Sequence, residues 1–149
     1  LEDRKNVTIL TNNLNAINRA LPYPDLNIIS LPGTLDRKTN SFVSADSVRT
    51  LEKYNIKKAF MAASGILESG TITNSSPLEF EIKKTAIVKS QEVYLMIDAT
   101  KYGKSALLTY ANIEDMDGVI VDSEAEQGLK ELCSQHNVEL YLANLEEEE

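Results

Sequence analysis

Cysteine and histidine are nearly missing from this chain of 149 residues: each occurs once, as Cys133 and His136. A single thiol excludes an internal disulfide and any cysteine-based zinc site, and a single imidazole excludes a multi-histidine metal centre. Basic side chains are also scarce. Lys plus Arg is 15 against 23 for Asp plus Glu, a net charge of −8. Affinity for DNA or RNA comes mainly from neutralising phosphates with Lys and Arg, so these residues alone make a poor nucleic-acid ligand. No apolar run approaches the ~20 residues of a membrane-crossing helix, and no secretory signal opens the sequence. The expectations are a cytoplasmic protein with no metal, no cofactor and no membrane partner. The signatures GxSxG, GxGxxG and the P-loop pattern do not occur, and a Ser–His–Asp triad would have to borrow His136 from an amphipathic helix.

What remains is an ordinary globular balance, 42% hydrophobic and 26% charged, in a length that suits one domain with a single core. Short β-branched runs recur at 7–11, 26–30, 57–63, 92–98, 118–122 and 138–142, the content of buried strands. Between them lie helical stretches at 13–20, 44–54, 77–89 and 124–136. Strands apolar on both faces and spaced by helices predict an α/β fold, a mostly parallel sheet with helices on both faces. The start of the third helix is well marked. Ser76 precedes Pro77, and Glu79 stands three after Ser76, the pattern of a capping box with proline in the first turn. Leu78, Ile82 and Ala86 then predict one buried stripe, with Glu79, Lys83 and Lys84 beside it. Cys133 falls with Leu129 and Leu132 on one helical face and reads as core filler. His136, near the end of that helix, suits the C-terminal dipole. The four glutamates at 146–149 read as a solvated tail.

Ligands of parallel α/β sheets bind beyond the carboxyl ends of the strands. Here those ends carry small hydrogen-bonding groups. Thr11-Asn12-Asn13, Pro32-Gly33-Thr34, Ser64-Gly65, Asp98-Ala99-Thr100-Lys101 and Asp122-Ser123 each follow a strand. Hydroxyls, amides and backbone N–H groups in such turns suit a polyhydroxylated, anionic ligand. Each also has a plain structural reading. Asn12 or Asn13 suits a helix cap, Gly33 and Gly65 suit turns, Asp98 suits the start of a turn, and Lys101 suits the surface. Their shared edge is what favours a polar site.

Read in order, VTILTNNL (7–14), SFVSADSV (41–48), KKAFMAASGI (57–66), EFEIKKTAI (79–87) and IDATKYGKSAL (97–107) resemble the C-terminal sensor domain of DeoR-type bacterial transcriptional regulators. The most specific segment is IDATKYG; the likeness runs from about Val7 to Ala143. The resemblance implies a Rossmann-like fold similar to ribose-phosphate isomerases and coenzyme A transferases. It implies a phosphorylated sugar or related metabolite as ligand, operator DNA bound through an N-terminal winged helix-turn-helix, and a homo-oligomer. In that reading residues 1–143 form the sensor domain and 144–149 an acidic tail. The DNA-binding part, the first strand and a Gly-Thr-Thr phosphate loop would all precede Leu1. The resemblance departs at Ser44, where glycine is usual after SFV, and at Pro32-Gly33, where two glycines are usual.

Under this reading Thr11 and Asn12 hydrogen-bond the ligand, and Gly33, Ser64 and Gly65 let backbone approach it. Asp98, with Thr100 in the same turn, holds a sugar hydroxyl. Lys83 and Lys101 bring positive charge to a phosphate or an open-chain carbonyl. The rival is a sugar-phosphate isomerase or transferase of the same fold, with Asp98 and Lys83 as acid and base. A decayed oligomerisation module is the third reading. The charge already makes one prediction: these 149 residues should show no specific operator binding in a gel shift at physiological salt, and a specific shift would contradict it.

Overall fold

The computed structural model describes residues 6–143, so the terminal glutamates read as a tail lie outside the described residues. The chain divides into two compact units, Leu1–Tyr54 and Asn55–Glu149, each with its own strands and helices.

In the first unit β1 (Val7–Thr11) and β2 (Leu26–Ser30) pair in parallel, from Val7 opposite Leu26 to Thr11 opposite Ser30. Parallel neighbours need a crossover, and α1 (Leu14–Ala20) supplies it. Asn13 caps α1, its side chain accepting from the Ala16 N–H at 3.0 Å. A short antiparallel hairpin follows, β3 (Thr34–Asp36) with β4 (Ser41–Val43). Its turn uses the expected chemistry: Asp36 accepts from the Lys38 N–H at 2.9 Å, and Asn40 takes a left-handed φ of 51°. Then α2 (Ala45–Leu51) starts on Ser44, whose hydroxyl accepts from the Ser47 N–H at 3.3 Å.

The second unit holds a four-stranded parallel sheet in the order β11-β10-β8-β5, built from β5 (Ile56–Ala62), β8 (Ser90–Ile97), β10 (Gly118–Val121) and β11 (Glu139–Leu142). The helices α3 (Pro77–Lys89) and α4 (Gln127–Gln135) flank it. This is the mixed α/β, Rossmann-like arrangement that the alternation of strands and helices predicts. Three strands of this unit, like β3 and β4 of the first, were not legible in that pattern: β6 (Gly65–Ile66), β7 (Thr71–Asn74) and β9 (Leu108–Asn112), which form a small antiparallel sheet in the order β6-β7-β9. Single 3-10 turns span Ala99–Lys101 and Ile113–Asp115.

The core of this unit gathers Val93, Leu95, Val119 and Val121 from the central strands with Ile66 and Ile72 from the small sheet. Leu129, Leu132 and Cys133 complete it from α4, so Cys133 is core filler as read. Burial also pushes its thiol pKa up, which suits an inert side chain. β5 and β8 alternate: Ala59, Met61, Val93 and Leu95 are buried, while Phe60 and Met96 are 57% and 48% exposed.

The expected stripe on α3 is corrected. Leu78 is 63% exposed, while Ile82 is buried. Glu79 and Lys83, expected at the sides, keep only 13% of their side chains exposed. The helix is therefore rotated so that 79, 82, 83 and 86 face inward, the i, i+3, i+4, i+7 face. The capping box is not formed either. Ser76 occupies the N-cap position without a side-chain cap bond, and the Glu79 carboxylate stands against Lys83. Packing thus separates two leucines that look alike in the sequence. Leu95→Ala should cost about 2–5 kcal/mol through the cavity it leaves, and Leu78→Ala less than about 0.5 kcal/mol; urea unfolding of the two variants measures both.

Candidate functional site

The sheet edge where the strands end in polar turns is built separately in each unit. In the first, Thr11 and Asn12 leave β1 beside the end of β2, from which Pro32 and Gly33 follow. The Thr11 hydroxyl accepts from the Asn13 N–H at 3.1 Å, and the Thr11 carbonyl from the Leu31 N–H at 2.8 Å. Asn12 is held on β4: its amide donates to the Phe42 carbonyl at 3.3 Å, and its own carbonyl accepts from the Phe42 N–H at 2.8 Å. Gly33 has a φ of 149°, and a Cβ there would lie 2.5 Å from the Val43 carbonyl oxygen, so only glycine fits. The two departures from the family pattern meet at this point. The hydroxyls of Ser44 and Ser47 both donate to the Pro32 carbonyl, at 3.0 and 2.7 Å, and pin the Pro32-Gly33 turn to the start of α2.

In the second unit β5 and β8 are neighbours, with Ala62 opposite Met96. The turns that follow them, at 63–65 and 98–104, therefore emerge side by side. They also touch. The Gly103 N–H donates to the Ile66 carbonyl at 2.9 Å, and a Cβ on Gly65 would lie 2.2 Å from the Lys104 carbonyl oxygen. Ser64, Gly65, Asp98, Thr100 and Lys101 thus share one stretch of the sheet edge.

Asp98 opens its turn. One carboxylate oxygen accepts from the Thr100 N–H at 3.0 Å and from the Thr100 hydroxyl; the other lies 3.5 Å from the Lys101 ammonium. The Thr100 hydroxyl first, with the Lys101 charge adding to it, holds the Asp98 carboxyl below its usual range. Asp122, which follows β10, braces the same turn by accepting from the Ala99 N–H at 2.9 Å. Lys101 is about one-third exposed and projects from this braced turn, so its charge is available at the edge.

Lys83 reaches the edge from below. Its ammonium donates to the Ala62 carbonyl at 2.7 Å and to Asn74 Oδ1 at 3.1 Å, and lies 3.8 Å from Glu79 Oε2. Burial pushes its pKa below the ordinary lysine value, with the Glu79 carboxylate pulling the other way. The Tyr110 phenol, raised by burial and then by Glu79, donates to the same Ala62 carbonyl at 2.9 Å. Its ring lies 5.1 Å from the Lys83 ammonium. Asn74 and Tyr110 were missed in the sequence. The Glu79–Lys83 spacing of four on a helix was a usable signal for the pair, whereas nothing near Asn74 or Tyr110 marks them as partners of a lysine.

A cavity of about 430 Å³ lies on the Tyr102 side of the 98–104 turn, against Gly128. Its size would admit a sugar phosphate, but Glu68, Glu126 and Glu131 line it and would repel an anion. Burial and these same carboxylates push the Tyr102 phenol up. No cluster of metal-ligating side chains is found among the described residues, and none of their helices is long and apolar enough to cross a membrane.

Residues 1–123 match the model of the DeoR C terminal sensor domain. The chain belongs to this family. Among curated relatives it is 43% identical over 143 residues to the HTH-type transcriptional regulator IolR of Bacillus subtilis (strain 168), covering 96% of this chain and 57% of that protein. It is 26% identical over 131 residues to the L-fucose operon activator of Haemophilus influenzae, covering 88% and 53%. It is 25% identical over 142 residues to the glycerol-3-phosphate regulon repressor of Escherichia coli (strain K12), covering 95% and 56%. The DeoR-type chain thus spans about half the length of the curated relatives it matches, and those relatives are transcriptional regulators.

The buried lysine of this sensor domain generates a pH prediction. Below the folded-state pKa of Lys83 both folded and unfolded chains carry the proton, and the desolvation cost is fully present. Between that pKa and the ordinary lysine value only the unfolded chain keeps it, so stability rises with pH there. Wild type should therefore gain stability relative to Lys83→Met as pH climbs through the alkaline range below the ordinary lysine value. Denaturant melts of both proteins at matched pH measure the difference; a gap that is flat or closes with pH would contradict it.

Proposed function

We propose that this chain is the effector-sensing part of a DeoR-type repressor of sugar metabolism. It binds a phosphorylated sugar or a related phosphorylated metabolite, and binding controls DNA affinity of an N-terminal winged helix-turn-helix outside this chain. The protein works in the cytoplasm as a homo-oligomer and is a sensor rather than a catalyst. The observation that carries this reading is the contact between the Ser64-Gly65 turn and the Asp98–Lys104 turn at the ends of two adjacent parallel strands, in a family whose members include regulators named for glycerol-3-phosphate and L-fucose.

The roles follow from the chemistry. Gly65 and Ser64 offer backbone and hydroxyl, the remaining lone pairs of the Asp98 carboxylate and the Thr100 hydroxyl suit sugar hydroxyls, and Lys101 supplies charge to a phosphate. Thr11, Asn12 and Gly33 offer hydroxyl, amide and backbone at the strand ends of the first unit, taken by itself. One lysine in a chain of net charge −8 makes a local field rather than a global one.

A thermal-shift panel of ribose 5-phosphate, glucose 6-phosphate, fructose 6-phosphate and glycerol 3-phosphate tests the reading. A ligand at 100 times its Kd stabilises by about 2.7 kcal/mol. Turnover and operator release by the full-length protein, assayed together, separate a sensor from an isomerase or transferase: release without turnover is expected, and turnover would overturn it. In titration calorimetry with whichever phosphate binds, Lys101→Ala should lose about 1.5–3 kcal/mol of affinity while unfolding stability moves by less than about 0.5 kcal/mol. Equal affinity in wild type and variant would remove Lys101 from the site.

A further inference from the structure

Two donors converge on one backbone oxygen at the end of β5. The Ala62 carbonyl accepts from the Lys83 ammonium at 2.7 Å and from the Tyr110 phenol at 2.9 Å. A second set of contacts closes a ring. The same ammonium donates to Asn74 Oδ1 at 3.1 Å, and that oxygen lies 3.5 Å from the Ser64 hydroxyl. Ser64 in turn accepts from the Ser75 N–H at 3.2 Å, and its own N–H donates to the Thr73 carbonyl at 2.9 Å. The path Lys83, Ala62, Ser64, Asn74 and back to Lys83 encloses the turn that carries Ser64 and Gly65.

The state of each member fits a holding role. An ammonium has three hydrogens to give, and the Lys83 group already faces three oxygens, from Ala62, Asn74 and Glu79. A phosphate would have to displace one of them. Asn74 is 4% exposed and donates through its amide nitrogen to the Ser76 carbonyl at 3.3 Å, so it is fixed in orientation. Tyr110 is 5% exposed and reaches Ala62 from the small antiparallel sheet. Three elements, α3, β7 and β9, therefore reach into one turn at the end of β5. Lys101, by contrast, faces a single carboxylate and is about one-third exposed.

We propose that Lys83 and Tyr110 are positioning residues: they act on the ligand through the Ala62–Ser64 turn they hold, and do not touch it. This rests on the sugar-phosphate reading for its ligand arm only. The first arm needs no ligand. In backbone amide hydrogen exchange on the 149-residue chain, Tyr110→Phe and Lys83→Met should each raise exchange at Ser64 and Ser75 tenfold or more, leaving Leu95 in the sheet core within about twofold. Unchanged exchange at Ser64 and Ser75, or a rise equal to that at Leu95, overturns the proposal, since the second result marks a merely global loss of stability.

The second arm is a double-variant cycle by titration calorimetry with the phosphate from the panel that binds wild type. Tyr110→Phe should weaken binding about fivefold in wild type and less than twofold in a Ser64→Ala background, because its effect passes through Ser64. The same factor in both backgrounds overturns the proposal. If no phosphate in the panel binds wild type, the proposed function fails while the exchange arm still decides whether Lys83 and Tyr110 hold the turn.

Discussion

An ammonium taken out of water must find an oxygen for each of its hydrogens, or the fold that buried it loses more than it gains. Lys83 sets this condition for the second unit. Its three oxygens come from the end of β5, the end of β7 and the preceding turn of α3, so those three elements can only pack in an arrangement that brings them to one point. The rotation of α3 follows. Turning Leu78 inward would carry Lys83 out of reach of Ala62 and Asn74, and the helix instead leaves Leu78 in solvent. The apolar core beneath, from Leu95 to Leu129, supplies the bulk of the burial. The lysine decides the register in which the helix meets it.

Parallel pairing does the rest of the positioning. Neighbouring parallel strands end at the same edge, so polar turns far apart in sequence come together without any contact designed for the purpose. The 63–65 and 98–104 turns meet in this way after β5 and β8, as the turns carrying Asn12 and Gly33 do after β1 and β2. The cavity against Tyr102 and Gly128 is a poorer candidate for a reason of charge. Glu68, Glu126 and Glu131 give it a sign that suits no phosphate, whereas the sheet edge pairs hydroxyls and backbone with the Lys101 charge.

Much of the fold was legible because its strands are apolar runs with clear breaks. The strands read at 7–11 and 26–30 coincide with β1 and β2, and the helix read at 77–89 with α3. The strands that escaped have another character. Thr71–Asn74 and Leu108–Asn112 mix hydroxyls and amides with single apolar residues, and Thr34–Asp36 with Ser41–Val43 is a hairpin of three-residue strands. Neither class offers a period long enough to detect. The hairpin did carry a signal in Asn40, whose left-handed φ is a turn property. At the candidate site, Ser64, Gly65, Asp98 and Lys101 could be picked out because they follow apolar strands. Asn74 and Tyr110 lie within strands and could not. Their importance comes from what faces them across the fold, and a one-dimensional pattern does not record that.

The contact of Gly65 with the Lys104 carbonyl bears on how such a sensor is retuned. At Gly65 the two turns are packed so closely that no side chain fits while the Lys104 carbonyl stays still. A library that randomises 63–66 alone would be filtered first by steric fit of position 65 against the Lys104 carbonyl. Grafting the paired segments together from one donor, as a single cassette, keeps the backbone match between them.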